Sequence, residues 1–231
     1  MSRADLGKEP EEVSAMFDGV ARRYDILNDL LSLGRTKAWR KVATATISPK
    51  PGMKILDIAA GTGSSSRPLA DAGAEVIPLD FSKGMLDAGR KRHPDLKFTQ
   101  GDALNLPFKD NEFDVTTISF GLRNTANTQS ALKEALRVTK PGGRIVVVEF
   151  SQPTNFIFRT IYMRYLMRAL PPIARKVSSN PDAYIYLAES IMAWPNQADL
   201  AAELRRAGFE RVGWQNLTFG IVAIHSGYKK P

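Results

Sequence analysis

The order of apolar and polar residues changes its period after the first fifty positions. Before that point, apolar residues recur every three or four positions, which is typical of a helix that buries one face. This spacing predicts a helix over 13–24 and shorter helices over 27–31 and 37–46. The segment Ser48–Gly52 contains two prolines and a glycine, so it interrupts the helical pattern.

From Lys54 onward, short runs of apolar and β-branched residues alternate with helical stretches. The predicted strands are 54–58, 75–80, 96–100, 113–119 and 144–150, and the predicted helices between them are 64–72, 83–93 and 129–138. Strands that alternate with helices predict parallel βαβ units with helices on both faces of one sheet.

The alternation ends at a segment, 151–182, that carries no strand pattern. The later predicted elements are a helix over 199–207 and strands over 209–216 and 221–228. Because only Leu217–Gly220 joins these last two strands, we expect them to pair antiparallel. The predicted fold class is α/β, with a mostly parallel sheet of seven strands and an antiparallel C-terminal hairpin.

Composition narrows the chemistry that this chain can perform. It has no cysteine, and its two histidines, His93 and His225, lie far apart. Disulfides, thiolate metal sites and cysteine nucleophiles are therefore excluded, and no metal site is predicted. The net charge of +8 favours an anionic partner, either nucleic acid or a lipid surface, without choosing between them.

A glycine-rich turn is the strongest local signal. The sequence Leu56–Gly63 runs from a predicted strand through Gly-Thr-Gly into a predicted helix, and Asp80 closes the next strand. Such a turn lets a ligand approach the backbone, and an acid at the second strand end can bind both ribose hydroxyls. This arrangement predicts a nucleoside-type cofactor; the alternative is a tight turn that binds nothing.

Three acids and one serine select among nucleoside cofactors. A nicotinamide-binding turn would have a third glycine where this chain has Ser66. Acids lie ahead of the turn (Asp57), after the second strand (Asp80) and after the third (Asp102). This set resembles the Rossmann-like class I methyltransferases that depend on S-adenosylmethionine, over Lys54–Tyr228.

The resemblance implies nine cofactor-binding residues. They are Gly61, Thr62 and Gly63 for the methionine portion, Asp80 for the ribose, Asp102 and the Ala103 backbone for the adenine edge, Phe81 and Met85 for the adenine faces, and Ser119 near the sulfonium. For the last three side chains, packing in the core is an equally good explanation. Asp102 has the alternative role of capping a turn.

Several methyl acceptors are disfavoured. Methylation at cytosine C5 needs a cysteine, and the motif of enzymes that methylate the exocyclic amines of bases is absent after the fourth strand. Paired glutamates that would suit protein-arginine methylation are absent there too. A small-molecule acceptor is therefore favoured.

Three further segments narrow the acceptor. They are the spaced motif Tyr24-Asp25-x-x-Asn28-x-x-x-Ser32-x-Gly34, the sequence Phe120–Asn124 and the sequence Glu149–Pro153. Together they resemble the quinone-biosynthesis C-methyltransferases, which act on demethylmenaquinol or a ubiquinol precursor. The resemblance implies a prenylated quinol substrate, and we favour the naphthoquinol. The alternatives are an O- or N-methyltransferase of the same fold, a nicotinamide-dependent oxidoreductase, or a non-catalytic nucleotide-binding module.

The candidate catalytic residues are Arg123, Asn124 and Tyr24. A ring carbon of a quinol becomes nucleophilic when a hydroxyl loses its proton, so the site must stabilise an oxyanion or orient a water molecule. Arg123 and Asn124 are suited to that task, while Tyr24 and Asp25 would close over the cofactor. For Tyr24 and Asp25 the alternative is a pair that packs the end of a helix.

Aromatic and basic residues are interleaved over 156–177, where no acid occurs. Phe158, Tyr162 and Tyr165 share one helical face, and Arg164 lies on the other. One interpretation is a lid that covers the prenyl tail and contacts anionic headgroups. The other is a helix with a core-facing side and a solvated basic side. No nucleic-acid-binding module accompanies the patch, so nucleic acid is not an expected partner.

The predicted organisation is a single domain over 1–231. Its parts are an N-terminal helical cap over 1–50, a cofactor-binding core over 52–150, a helical lid or substrate insertion over 151–198, and a terminal helix with hairpin over 199–231. No run suggests a membrane span or a signal peptide, so we expect a cytoplasmic protein, with contact at the inner face of the cell membrane left open. The sequence also leaves the oligomeric state open, a homo-oligomer included.

Overall fold

The computed structural model describes residues 34–165, 168 and 181–231 of the chain. Within these ranges lies one seven-stranded sheet with the strand order β3-β2-β1-β4-β5-β7-β6. The strands are β1 (Lys54–Ile58), β2 (Glu75–Asp80), β3 (Thr99–Gln100), β4 (Phe113–Ser119), β5 (Thr139–Phe150), β6 (Glu210–Leu217) and β7 (Val222–Tyr228). β1 to β5 pair in parallel, and β7 runs antiparallel to both β5 and β6. The predicted fold class is confirmed.

Helices cover both faces of this sheet. They are α1 (Arg35–Ile47), α2 (Ser66–Asp71), α3 (Lys83–Arg92), α4 (Thr128–Val138), α5 (Phe156–Arg164), α6 (Pro181–Ala193) and α7 (Gln197–Ala207), in the described part of the chain. Because successive strand residues point to opposite faces, Leu56 packs in the cluster that contains α4 and α7. Its neighbour Ile55 packs with α1 and α2.

The predicted bounds differ from the observed ones by one residue at β6 and β7, and by more at two other strands. The third strand, predicted over 96–100, contains only Thr99 and Gln100, because the N–H groups of Leu96 and Phe98 bond within local turns. Strand β5 starts earlier than predicted because Thr139 already pairs with Phe113, before a shift in register. The predicted helices over 13–24 and 27–31 lie outside the described residues.

Candidate active site

The glycine-rich turn joins β1 to α2 and contains two glycines with left-handed backbone. Gly61 has φ +57° and Gly63 has φ +78°, and Thr62 between them is buried. A Cβ on Gly61 would lie 2.9 Å from the Met85 methyl group, and one on Gly63 would lie 2.7 Å from the Phe98 ring. Both positions therefore favour glycine for its backbone freedom and for space, and a cradle of bare backbone results.

The Asp80 carboxylate is fixed beside this turn. Asp80 is the last residue of β2, and its Oδ2 accepts a hydrogen bond from the Gly61 N–H at 2.8 Å. Its Oδ1 accepts one from the Ser82 N–H, also at 2.8 Å. Two backbone donors thus orient the acid predicted to bind ribose toward the start of the glycine cradle.

Four parallel strands end along this edge. Ile58 pairs with both Leu79 and Ile118, and Asp80 pairs with Gln100. Neighbouring strands lie about 4.8 Å apart, so the carboxyl ends of β3, β2, β1 and β4 span about 14 Å. This edge is the usual ligand-binding side of an open α/β sheet.

The other five predicted cofactor-binding residues lie along or beside the same edge. Asp102 Oδ1 accepts a hydrogen bond from the Leu104 N–H at 2.8 Å, which is the turn-capping role named as its alternative. Ala103 packs against the core, Phe81 is 39% exposed, and Ser119 is half-buried at the end of β4. Met85 is buried against the turn. Their contacts with the cofactor stay predictions.

Asp57 is a buried acid directly under the turn. Its Oδ2 accepts hydrogen bonds from Ser65 Oγ (2.7 Å) and Ser66 Oγ (2.6 Å). Oδ1 is buried with no hydrogen-bond partner among the described residues. Burial raises the pKa of Asp57 to about 6; the two serines oppose this rise, Asp80 adds to it, and Arg40 opposes it. The sequence contains this acid in the fingerprint but does not reveal its burial.

We expect Asp57→Asn to stabilise the protein above pH 7 by up to about 3 kcal/mol, the equivalent of a two-unit shift. A raised carboxyl pKa contributes stability below the ordinary value near pH 4 and loses it as the pH rises through 6. The gain in the free energy of unfolding of the variant over the wild type should therefore shrink toward pH 4. Urea unfolding at pH 4.5 and pH 8 measures it. Asp71→Asn, at an exposed ion pair, is the control. An advantage equal at both pH values would contradict the prediction.

The segment after β4 approaches the glycine-rich turn closely. Phe120 has φ +58° and Ala59, after β1, has φ +55°. A Cβ on Gly121 would lie only 2.4 Å from the Ala59 Cβ. Glycine at position 121 is therefore explained by contact between the two loops that leave β1 and β4.

Arg123 and Glu149 form a buried ion pair at this edge. The side chains are 4% and 1% exposed, and Arg123 Nη1 lies 2.9 Å from Glu149 Oε1. Nη1 also donates to the Phe120 carbonyl at 2.6 Å. The guanidinium lies 5.1 Å from the centre of the Phe150 ring. The sequence segments that carry the resemblance contain both charges, but they do not reveal that the two are paired.

An aromatic cluster lies beside this pair. The rings of Trp39, Phe120 and Phe150 lie 5.1–6.3 Å from one another, centre to centre. Asn124 Oδ1 accepts a hydrogen bond from the Tyr186 hydroxyl at 3.3 Å. Trp39, Phe150 and Tyr186 had no predicted site role. Phe150 falls in the segment Glu149–Pro153, but its contact with the distant Trp39 leaves no local pattern in the sequence. Tyr24, the third predicted catalytic residue, lies outside the described residues, as does Asp25.

Comparisons with known proteins match nearly the whole chain. The model of the ubiE/COQ5 methyltransferase family covers residues 5–229. The demethylmenaquinone methyltransferase of Streptomyces avermitilis is 61% identical over 229 residues, 99% of each chain. That of Mycobacterium tuberculosis (strain ATCC 25177 / H37Ra) is 57% identical over 229 residues, 99% of this chain and 97% of the relative.

Solved structures share the fold. A Thermotoga maritima S-adenosylmethionine-dependent methyltransferase, a candidate histamine N-methyltransferase, matches with a TM-score of 0.69 at 21% identity, over 94% of this chain and 100% of that one. Haemonchus contortus phosphoethanolamine N-methyltransferase 2, solved with S-adenosyl-L-methionine, gives 0.63 at 15% identity over 83% of this chain and 52% of that one.

Proposed function

Since the chain belongs to the ubiE/COQ5 methyltransferase family, we propose that it methylates a ring carbon of demethylmenaquinol, giving menaquinol, the last step of menaquinone biosynthesis. The protein is a methyltransferase that uses S-adenosylmethionine as its donor. The observation that carries the choice of acceptor is the full-length identity to relatives named for demethylmenaquinone. The predicted prenylated-quinol acceptor agrees with that choice.

The cofactor side of the proposal has structural support. S-adenosylmethionine supplies a methyl group already activated by a sulfonium. The bare backbone at Gly61 and Gly63 suits the methionine portion, and the Asp80 carboxylate is oriented to accept hydrogen bonds from ribose hydroxyls. Alignment of the acceptor carbon with the methyl group can lower the barrier by about 7–11 kcal/mol. The main task of this chain is therefore orientation.

On the acceptor side, Arg123 stabilises the oxyanion of the quinol. An arginine side chain stays protonated in proteins, so Arg123 is not the proton acceptor. A hydrogen-bond donor of its guanidinium lowers the energy of a negatively charged ring oxygen, and Asn124 can orient a water molecule. The ring carbon then forms a bond to the methyl group as the bond from methyl to sulfur breaks. The electron pair of the broken bond stays on sulfur, giving S-adenosylhomocysteine, and the proton on that carbon passes to the water molecule, which restores aromaticity.

The direct test is incubation with donor labelled in its methyl group and a short-tailed demethylmenaquinol. We expect one labelled methyl group on the ring carbon next to the prenylated position, read by mass and nuclear magnetic resonance. A matched benzoquinol acceptor distinguishes the two quinol classes. Methyl transfer to oxygen would identify an O-methyltransferase instead, and binding of NAD without S-adenosylmethionine would favour the oxidoreductase.

We also propose that α5 contacts the inner, anionic face of the cell membrane, where a prenylated quinol resides. Phe156, Ile157 and Ile161 of α5 are 60–71% exposed, and Phe219 is 75% exposed. The Phe219 ring contacts Phe158 of the same helix at 5.4 Å. This apolar surface differs from the aromatic face expected from the sequence, because Phe158 and Tyr162 are half-buried. Exposed apolar residues of this kind suit insertion among headgroups.

A basic groove beside this surface supports the same proposal. Its volume is about 470 Å³, and Met163 and Met192 contribute apolar atoms to its lining. Arg159, Arg164 and Arg168 supply positive charge. No helix within the described ranges has the length and apolar character needed to cross a bilayer. Contact through this surface would bring the protein to the quinol without a membrane span.

Changing the exposed apolar residues should weaken vesicle binding. We expect Ile157→Asp with Ile161→Asp to lower co-sedimentation with anionic vesicles at least tenfold, since each buried isoleucine contributes about 1.5–3 kcal/mol. Arg159→Gln should weaken binding by about fivefold, equivalent to about 1 kcal/mol per basic residue. Arg205→Gln, on α7, is the control. Co-sedimentation with vesicles that changes neither in the variants nor with the anionic lipid content would refute the membrane contact.

A further inference from the structure

We propose that Glu149 is the positioning residue for Arg123, holding its guanidinium where the acceptor's oxyanion forms. This inference rests on the proposed function, because it assigns a role within the acceptor site. Glu149 is the penultimate residue of β5, and its side chain is 1% exposed. Glu149 acts through Arg123 in this proposal and does not itself contact the quinol.

Both oxygens of Glu149 are used to hold Arg123. Oε1 accepts hydrogen bonds from Arg123 Nη1 at 2.9 Å and from the Phe150 N–H at 2.8 Å. Oε2 accepts one from the backbone N–H of Arg123 at 3.3 Å. One carboxylate thus fixes both the main chain and the side chain of Arg123, and the rigid strand β5 fixes the carboxylate. This is the arrangement expected of a supporting residue for a functional group.

The guanidinium keeps a donor that the protein does not use. Nη1 is occupied by Glu149 and by the Phe120 carbonyl. Arg123 Nε is buried with no hydrogen-bond acceptor in the described ranges. A buried donor without a partner is unfavourable, and such groups occur at functional sites. Within this proposal, the Nε–H donates to an oxygen atom of the bound acceptor.

Stability alone is a weak explanation for this pair. Both charges lose their hydration on burial, and an apolar pair of similar volume is often equally stable or more stable. Arg137 and Glu134 form a comparable pair, with a backbone N–H as a third partner, but their side chains are 31% and 20% exposed. Burial of the Arg123–Glu149 pair between the ends of β4 and β5 points to a role in the reaction.

A double-mutant cycle tests this role. Wild type, Glu149→Gln, Arg123→Met and the double variant are compared for kcat, KM and S-adenosylmethionine affinity. Misplacement of a reacting group by 1 Å can reduce the rate by about 100-fold. We expect Glu149→Gln to lower kcat by about 10- to 100-fold with donor affinity unchanged. In the Arg123→Met background, the same change should alter kcat less than about twofold, because residues that act as a unit are not additive.

Two further variants keep the test decisive. Glu134→Gln, the same substitution at the partly exposed pair, should leave kcat unchanged. If Glu149→Gln fails to fold, Glu149→Asp keeps the charge, and the double variant removes both charges together. Independent, multiplicative effects of the two changes on kcat would overturn the proposal. So would a Glu149→Gln variant that loses only thermal stability. Absence of demethylmenaquinol methylation by the wild type would instead overturn the proposed function.

Discussion

Replacing Asp80 by alanine is expected to weaken S-adenosylmethionine binding by about 10²- to 10⁴-fold, the largest effect on the donor that we foresee. Each hydrogen bond to a charged group contributes about 1.5–3 kcal/mol, and the two ribose hydroxyls would supply two of them. The carboxylate also accepts the Gly61 and Ser82 N–H groups at 2.8 Å, so its loss would free the glycine-rich turn as well. Isothermal titration calorimetry measures the affinity.

The ribose contact can be separated from the support of the turn. S-adenosylhomocysteine and its 2′-deoxy analogue should bind the wild type with different affinities and bind Asp80→Ala equally weakly. Asp87→Ala, which removes an exposed acid paired with exposed Arg90, serves as the control and should bind as the wild type does. An Asp80→Ala protein that still distinguishes the two ligands would contradict the ribose assignment.

Replacing Arg123 by lysine is expected to lower kcat by about 10²- to 10³-fold, the effect typical of losing a donor to an oxyanion. Lysine keeps the charge that compensates Glu149, but its single ammonium group cannot reproduce the planar donors of arginine. The affinity for S-adenosylmethionine should stay within about twofold of the wild type, because the proposed role places Arg123 at the methyl acceptor. Single-turnover rates at saturating S-adenosylmethionine measure the effect.

The matching control is Arg90→Lys, at an exposed pair on α3, which should turn over as the wild type does. Arg123→Ala gives a second measurement, although removal of one partner from a buried pair destabilises proteins by about 3–5 kcal/mol. Urea unfolding of each variant separates that loss from the loss in rate. Wild-type turnover and unchanged acceptor KM in Arg123→Lys would remove the guanidinium from the mechanism.

Local patterns were sufficient for most of the fold. The buried strand Lys54–Ile58 and its parallel neighbours follow from apolar runs between helical stretches, and the short Leu217–Gly220 connection required the antiparallel hairpin. The third strand was predicted too long because apolar content at 96–98 resembles a strand, whereas hydrogen bonding within turns decides the backbone there. Periodicity indicates the faces of α5 but not which one contacts the rest of the protein.

In the candidate site, too, features with a local signal were predictable and features that depend on packing were not. The position of Asp80 beside the glycine-rich turn was predictable, because an acid at a strand end next to such a turn is a local signal. The pairing of Arg123 with Glu149 was not, because it depends on strands β4 and β5 lying side by side with the two residues near their ends. The raised pKa of Asp57 likewise follows from burial, which only the packed structure determines.

The contact between Gly121 and Ala59 restricts how this protein can be redesigned for new acceptors. A library that diversifies the loop after β4 would place larger residues at position 121, where a Cβ would lie 2.4 Å from that of Ala59. Most such library members would displace the turn after β1 that contains Ala59 and Gly61, and would lose activity toward every acceptor. A productive library would hold position 121 as glycine and vary the positions on either side of it.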